Sequence, residues 1–389
     1  MFSRRTDWPF EQNPLMLALA QLKEKRIKVF DLTTSNPTQA GLAYPDRQIL
    51  KALSLASNIL YQPQPFGQEQ ARQAIAQMYA KQKVMIRPEQ IILTSSSSEA
   101  YAFLFRLLLN PDEEALFPSP SYPLFDFLAQ LNDVDIQPYP LCYQQQWEID
   151  LSVLKEKFSL KTRALVLVNP NNPTGGFVKT EELAVINHLC RERDVAIICD
   201  EVFSDYVLDM HKDGVRTLSG NTEALTFVLG GLSKSLGLPQ MKLSWIIVNG
   251  PEDKIARALE RLEIIADTYL SVNTPAQNAL PSWLKLKDKI QRLIQARIQK
   301  NQKLLQGLCA KTPFKVLSAE GGWYAIIQLP EGLSEERFVE QLLREHHVFA
   351  HPGYFFDLIQ GAHLVVSLLT PEDVLREGLS RIVECSAYS

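Results

Sequence analysis

Between residues 91 and 249 the chain alternates short apolar runs with segments long enough for amphipathic helices. The runs lie at 91–93, 114–117, 164–168, 195–199, 226–229 and 244–248. Runs this short, without the polar alternation of a half-solvated sheet, mark strands buried on both faces, and helix-length spacers mark crossover connections. The pattern therefore predicts a large α/β unit around a mostly parallel sheet.

From about 251 to 309 the periodicity becomes helical, interrupted around Asn273-Thr274-Pro275 and at Pro281. Beyond it the pattern predicts a strand over 323–329, a helix over 334–344, strands over 348–350 and 364–368, and a closing helix over 371–385. Such a run suits a small α+β domain. The N-terminal segment is expected to join it, with Asp31-Leu32-Thr33 entering before an Asn36-Pro37 turn. The expected division is a large domain over 46–270 and a small one from 1–45 and 290–389, joined by a long helix around 275–309.

Composition narrows the function. A chain of 389 residues, 46% hydrophobic and 22% charged, can bury a large core. A formal net charge of -4 offers no basic field for nucleic acid or anionic lipid. Cys142, Cys190, Cys199, Cys309 and Cys385 are odd in number and have no metal-ligand spacing, which suits a reducing cytoplasm. Asp7 and Glu11 interrupt the basic start at Arg4 and Arg5, so the apolar stretch that follows reads as a helix and not as a signal peptide. No apolar run approaches the roughly 18 residues needed to span a bilayer.

Three segments carry candidate chemistry. Gly230-Gly231-Leu232-Ser233-Lys234-Ser235 follows an apolar strand directly and places Lys234 where it can be desolvated and made nucleophilic. Alone, a lysine in such a loop is most often a solvated side chain. Asn169-Pro170-Asn171-Asn172-Pro173-Thr174-Gly175 is a rigid turn after a strand, able to aim an asparagine amide from the carboxyl edge of the sheet. A ligand-free strand-to-helix connection would look the same. The run 195–199 ends in Asp200-Glu201, and a carboxylate at a buried strand end needs a cationic partner. Helix capping is the alternative for a lone Asp.

In this order, Asn-Pro-Thr-Gly, Asp-Glu-Val and Ser-Lys resemble the signature of aminotransferase class I/II enzymes, which are fold-type-I enzymes dependent on pyridoxal 5'-phosphate (PLP). The likeness runs from Asn36-Pro37 through Tyr61 and Gly67 to Arg381. It implies a mostly parallel seven-stranded sheet in the large domain, a Schiff base between Lys234 and PLP, and proton transfer by the freed lysine. It further implies that Asp200 pairs with the pyridine nitrogen, Asn172 donates to the ring's phenolate oxygen and Tyr122 stacks on the ring. Ser96, Ser97 and Ser98, at the start of a helix, match the phosphate site, together with Ser233 and Lys242. Tyr61 matches a tyrosine that reaches the phosphate in a neighbouring subunit, which implies a homodimer with shared sites. Asn36, Asn172 and Trp323 match the substrate side.

Four positions depart from the family. Phe203 replaces a tyrosine that gives a phenol to the ring oxygen, and Gly231 stands where many relatives place a serine on the phosphate. Lys242 replaces a phosphate-binding arginine and loses its bidentate fork. Val365, in His363-Leu364-Val365-Val366-Ser367, occupies the place of the arginine that clamps the substrate α-carboxylate. Either another cation serves, with His351 and His363 as candidates, or the amino donor lacks that carboxylate. Arg376 and Arg381 are expected to be solvated or structural. The resemblance implies transamination between an amino acid and a 2-oxo acid through a pyridoxamine phosphate intermediate. A PLP-dependent carbon-sulfur β-lyase and a PLP-binding regulatory module are the alternatives, the latter disfavoured by the short segment before Asp31 and the acidic charge.

Overall fold

All six apolar runs of the first half become strands of one sheet. The computed structural model describes residues 1–386. Its strands are β1 (Phe30–Asp31), β2 (Ile91–Thr94), β3 (Glu114–Ser119), β4 (Asp135–Tyr143), β5 (Trp147–Ile149), β6 (Thr162–Val168) and β7 (Ala196–Asp200). They continue with β8 (Thr226–Gly231), β9 (Ser244–Asn249), β10 (Lys315–Val316), β11 (Tyr324–Gln328), β12 (Val348–Phe349), β13 (His351–Pro352) and β14 (His363–Ser367).

The large sheet has the order β2-β9-β8-β7-β6-β3-β4-β5. From β8 to β4 neighbouring strands run parallel, whereas β2–β9, β9–β8 and β4–β5 pair antiparallel. The expected seven strands thus gain an eighth, the three-residue β5 at one edge. Neither β4 nor β5 shows in the apolar pattern. Only Tyr139 is buried along β4, and its Pro138 and Pro140 pair with β3 in a stretch that β5 does not reach. An edge strand tolerates prolines because its outer N–H groups have no sheet partner to lose.

Strand alternation divides the sheet into two buried faces. One carries Ile92, Val166, Ile198, Phe227 and Ile246 in a single apolar cluster with residues of the helices Ser97–Leu108 and Glu252–Tyr269. The other carries Leu93, Leu165, Ile197, Val228 and Ile247, and its core continues without a break into the second half of the chain. There β10-β11-β14-β13 form an antiparallel sheet, while β1 pairs in parallel with β12. That pairing brings Asp31 beside Phe349.

In place of one long helix around 275–309, two helices occupy Thr274–Leu284 and Lys287–Cys309. An i→i+3 bond from Leu286 N–H to the Trp283 carbonyl (2.8 Å) closes the first. The turn lets buried Trp283 donate to the Ile49 carbonyl while Lys287 reaches Asp205 at 2.7 Å.

Candidate active site

β6, β7 and β8 end side by side, with Val168 opposite Asp200 and Asp200 opposite Leu229. Their outgoing segments therefore gather Asn172, Asp200 and Lys234 at the carboxyl edge of the sheet, where α/β proteins place ligands. The turn after β6 owes its shape to Gly175, at φ +74°, where a Cβ would come within 2.5 Å of the Gly321 carbonyl oxygen. Glu320, just before β11, ties this turn to the smaller sheet. It accepts from Phe177 N–H (2.9 Å) and His211 N–H (2.8 Å), and it forms a buried ion pair with Lys179.

Asp200 ends β7 with only 7% of its surface exposed. It accepts from Val202 N–H at 3.1 Å and from the Tyr101 hydroxyl at 3.4 Å. Loss of hydration pushes its carboxyl up to about 6, against the lowering effect of those bonds and of Lys234. No helix begins at this position, which removes the capping alternative. Lys234 sits in the single helical turn Leu232–Ser235 that β8 enters directly. Burial lowers its ammonium to about 8, and Asp200 opposes that shift. Its Nζ lies 5.3 Å from the centre of the Phe203 ring and 5.0 Å from that of Trp323. The Phe203 position thus presents a π-face to the lysine where a phenol is expected.

Asn172 is buried, and its Oδ1 has no hydrogen-bond partner. Tyr122 is half-exposed and packs edge-on against Phe125 (5.8 Å), and loss of hydration, together with the charge of Asp200, raises its phenol. Ser96 caps the helix Ser97–Leu108 by accepting from Glu99 N–H at 3.1 Å, leaving Ser97 and Ser98 in the first turn with its unpaired N–H groups. Ser233 is partly buried in the turn of Lys234, and Lys242 is exposed in a left-handed conformation two residues before β9. Asn36 accepts from Thr38 in its own turn, and the adjacent Pro37 packs toward Gly237, just beyond the lysine.

Trp323, matched to the substrate side, is fully buried and covers Lys234 from within the core. Its neighbour Tyr324 is the more accessible aromatic, 6.2 Å from the Phe203 ring. Tyr61 is 69% exposed and lies away from the lysine, among Gln62, Pro63 and Gly67 near residues 270–277. Two tyrosines escape the sequence reading altogether. Tyr101 touches Asp200, and Tyr206 donates to the Lys234 carbonyl at 2.6 Å while packing on Trp323. Their only signal is position, one on the helix after the serines and the other six residues beyond Asp200.

Val365 is 1% exposed on β14, in a cluster with Trp147, Leu317, Ile326, Phe356 and Leu358. His351 packs among Phe349, Phe355 and Phe356, and burial lowers its imidazole despite the charge of Asp31. His363 is buried with Nδ1 unpartnered, and desolvation lowers it too. Burial thus favours the neutral form of both candidate cations. Arg376 bonds Glu372, and Arg381 bonds Glu377 and the His346 carbonyl, so both are held within or beside the last helix.

A family model described as aminotransferase class I and II matches residues 27–382. The tyrosine aminotransferase of Mus musculus is 27% identical over 388 residues, covering 96% of this chain and 84% of that protein. The glutamate-pyruvate aminotransferase AlaA of Escherichia coli (strain K12) is 28% identical over 275 residues, covering 70% of this chain and 67% of that protein. The solved structure of an alanine aminotransferase from Pyrococcus furiosus superposes with a TM-score of 0.91 at 23% identity, covering all of both chains. No helix among the described residues is long and apolar enough to cross a membrane.

Proposed function

The chain belongs to the aminotransferase class I and II family, and from that membership we propose that it is a PLP-dependent aminotransferase acting between an amino acid and a 2-oxo acid. The observation that carries this reading is the pair of opposed perturbations at the sheet edge, with Asp200 raised to about 6 and Lys234 lowered to about 8. Each group is displaced toward its neutral form by burial, as expected where a ligand supplies the missing counter-charge and the reacting carbonyl.

The residues present fit PLP. Asp200 is a buried carboxylate with no buried cation bonded to it, and Asn172 is a buried amide whose oxygen no protein group satisfies. PLP, when bound, supplies an aldehyde carbon and a protonated ring that accepts an electron pair. Asp200 holds the proton at the ring nitrogen. Lys234, with its amine near 8, keeps a deprotonated fraction at neutral pH; it would hold the aldehyde carbon of PLP and, once released, would move a proton at the substrate Cα. Asn172 would donate to the ring oxygen, and Tyr122 would cover one face of the ring. Ser96, Ser97, Ser98, Ser233 and Lys242 serve the phosphate, and Asn36 the substrate. Trp323 acts from the core by packing against the lysine.

We assign the large domain to 46–270 and the small one to 1–45 and 290–389. The exposed Tyr61 supports a homodimer in which it crosses to the partner's phosphate. The odd number of cysteines, without metal-ligand spacing, supports a cytoplasmic location. The test is a half-reaction. The purified protein with PLP and a panel of amino acids is expected to exchange its cofactor absorption band for that of pyridoxamine phosphate and to release 2-oxo acid. Release of pyruvate and ammonia from cystathionine without an acceptor, and no band exchange with any amino acid, would overturn transamination in favour of β-elimination.

A further inference from the structure

Position 231 lacks a side chain, and the structure shows what fills the space. Gly231 ends β8 directly opposite Ser244, the first residue of β9. A Cβ built on Gly231 would lie 3.1 Å from the Ser244 Cβ and collide with the Ser244 Oγ. The serine hydroxyl therefore occupies the volume into which a side chain at 231 would project.

Ser244 also faces a second strand, pairing with Thr94 at the end of β2, from which the chain turns into Ser95, Ser96 and the helix Ser97–Leu108. Strand alternation puts 229, 231 and 244 on the same face as 198 and 200, so the hydroxyl shares the side of the sheet that carries Asp200. It is thus flanked by the turn holding Lys234 and by the serine-rich helix start. Thr94 spends its own hydroxyl on the Ser96 carbonyl (3.1 Å), and Ser235 spends its hydroxyl on the Gly231 carbonyl (2.7 Å). The hydroxyls on either side of Ser244 are committed to the backbone.

We propose that the Ser244 hydroxyl is a phosphate-binding group of the cofactor site, replacing the hydroxyl absent at position 231. The inference rests on the PLP reading above. It accounts for the glycine, since any side chain at 231 would displace the serine. It also assigns a neutral donor to a site whose positive charge comes from the exposed Lys242.

The test uses the apoenzyme, titrated with PLP and separately with pyridoxal, which has no phosphate. Ser244→Ala is expected to weaken PLP about tenfold, the scale of one hydrogen bond to a charged group, and to leave pyridoxal unchanged. Inorganic phosphate should protect wild type against pyridoxal-independent thermal unfolding more than it protects Ser244→Ala. The double variant Gly231→Ser with Ser244→Gly exchanges the two residues and is expected to recover most of the lost PLP affinity, whereas Gly231→Ser alone should weaken it. Equal PLP affinity in wild type and Ser244→Ala overturns the inference, as does an equal loss with pyridoxal. Failure of wild type itself to bind PLP would instead overturn the cofactor reading, and this inference with it.

Discussion

Two neighbouring regions of the molecule are built on opposite principles. The edge formed by β6, β7 and β8 buries polar groups that are incompletely paired: Asp200 raised to about 6, Lys234 lowered to about 8, and an Asn172 oxygen without a partner. The face of β14 reached through Phe203, Tyr324 and Phe356 is apolar, with Val365 packed against Trp147, Ile326 and Leu358. The first region leaves polar capacity that its own contacts do not use. The second is already satisfied by its own contacts, although the family places its carboxylate clamp there. On the function proposed above, the residues assigned to the cofactor are kept while the surface assigned to the carboxylate clamp is rebuilt as apolar core.

The largest test of this contrast is Lys234→Ala, expected to lower turnover about a thousandfold or more while PLP still binds without covalent attachment. Steady-state rates and borohydride trapping measure both, and undiminished turnover would remove the lysine from the chemistry. Asp200→Asn should follow with a loss of about a hundredfold in kcat, since the carboxylate acts by holding charge in a buried site. A variant as active as wild type would mean that the ring nitrogen has another partner.

Val365→Arg addresses the other side. A guanidinium placed among Trp147, Ile326 and Phe356 has no partner there, and we expect a destabilisation of about 3 kcal/mol in denaturant unfolding. A stable variant with a lowered KM for amino acids would show that the apolar face is merely unoccupied by a clamp.

The smallest effect is a pH dependence. Folded Lys234 lies below its ordinary 10.5, so its burial costs stability below about pH 8, and the cost is relieved as pH rises toward 10.5. Asp200 lies above its ordinary 3.8, so its cost is present above about pH 6 and is relieved as pH falls toward 3.8. Reductive labelling of the apoenzyme lysine by pyridoxal should accordingly rise with pH with a midpoint near 8. A midpoint delayed to about 10.5 would place the amine in solvent.

Much of this was legible in the chain. The six apolar runs became strands because burial on both faces leaves no room for polar alternation, and the small α+β unit followed from its own periodicity. Strands β4 and β5 stayed hidden because edge strands are half-solvated and, here, proline-bearing. That Asn172, Asp200 and Lys234 lie near one another was readable because each is at or just beyond the end of a strand, and parallel neighbours bring such ends together. Tyr101, Tyr206 and Ser244 were not, because each acts across a contact between segments far apart in sequence.

The sequence by itself determined six strands of the large sheet, their order along the chain and the three motifs that mark the family, because periodicity and motif spacing are properties of adjacent residues. Only the tertiary structure decided that Gly231 yields its space to Ser244, that Tyr101 meets Asp200 and that Val365 lies in a closed apolar cluster. Those outcomes depend on strand register and on which faces are covered, and both are set by packing between distant parts of the chain.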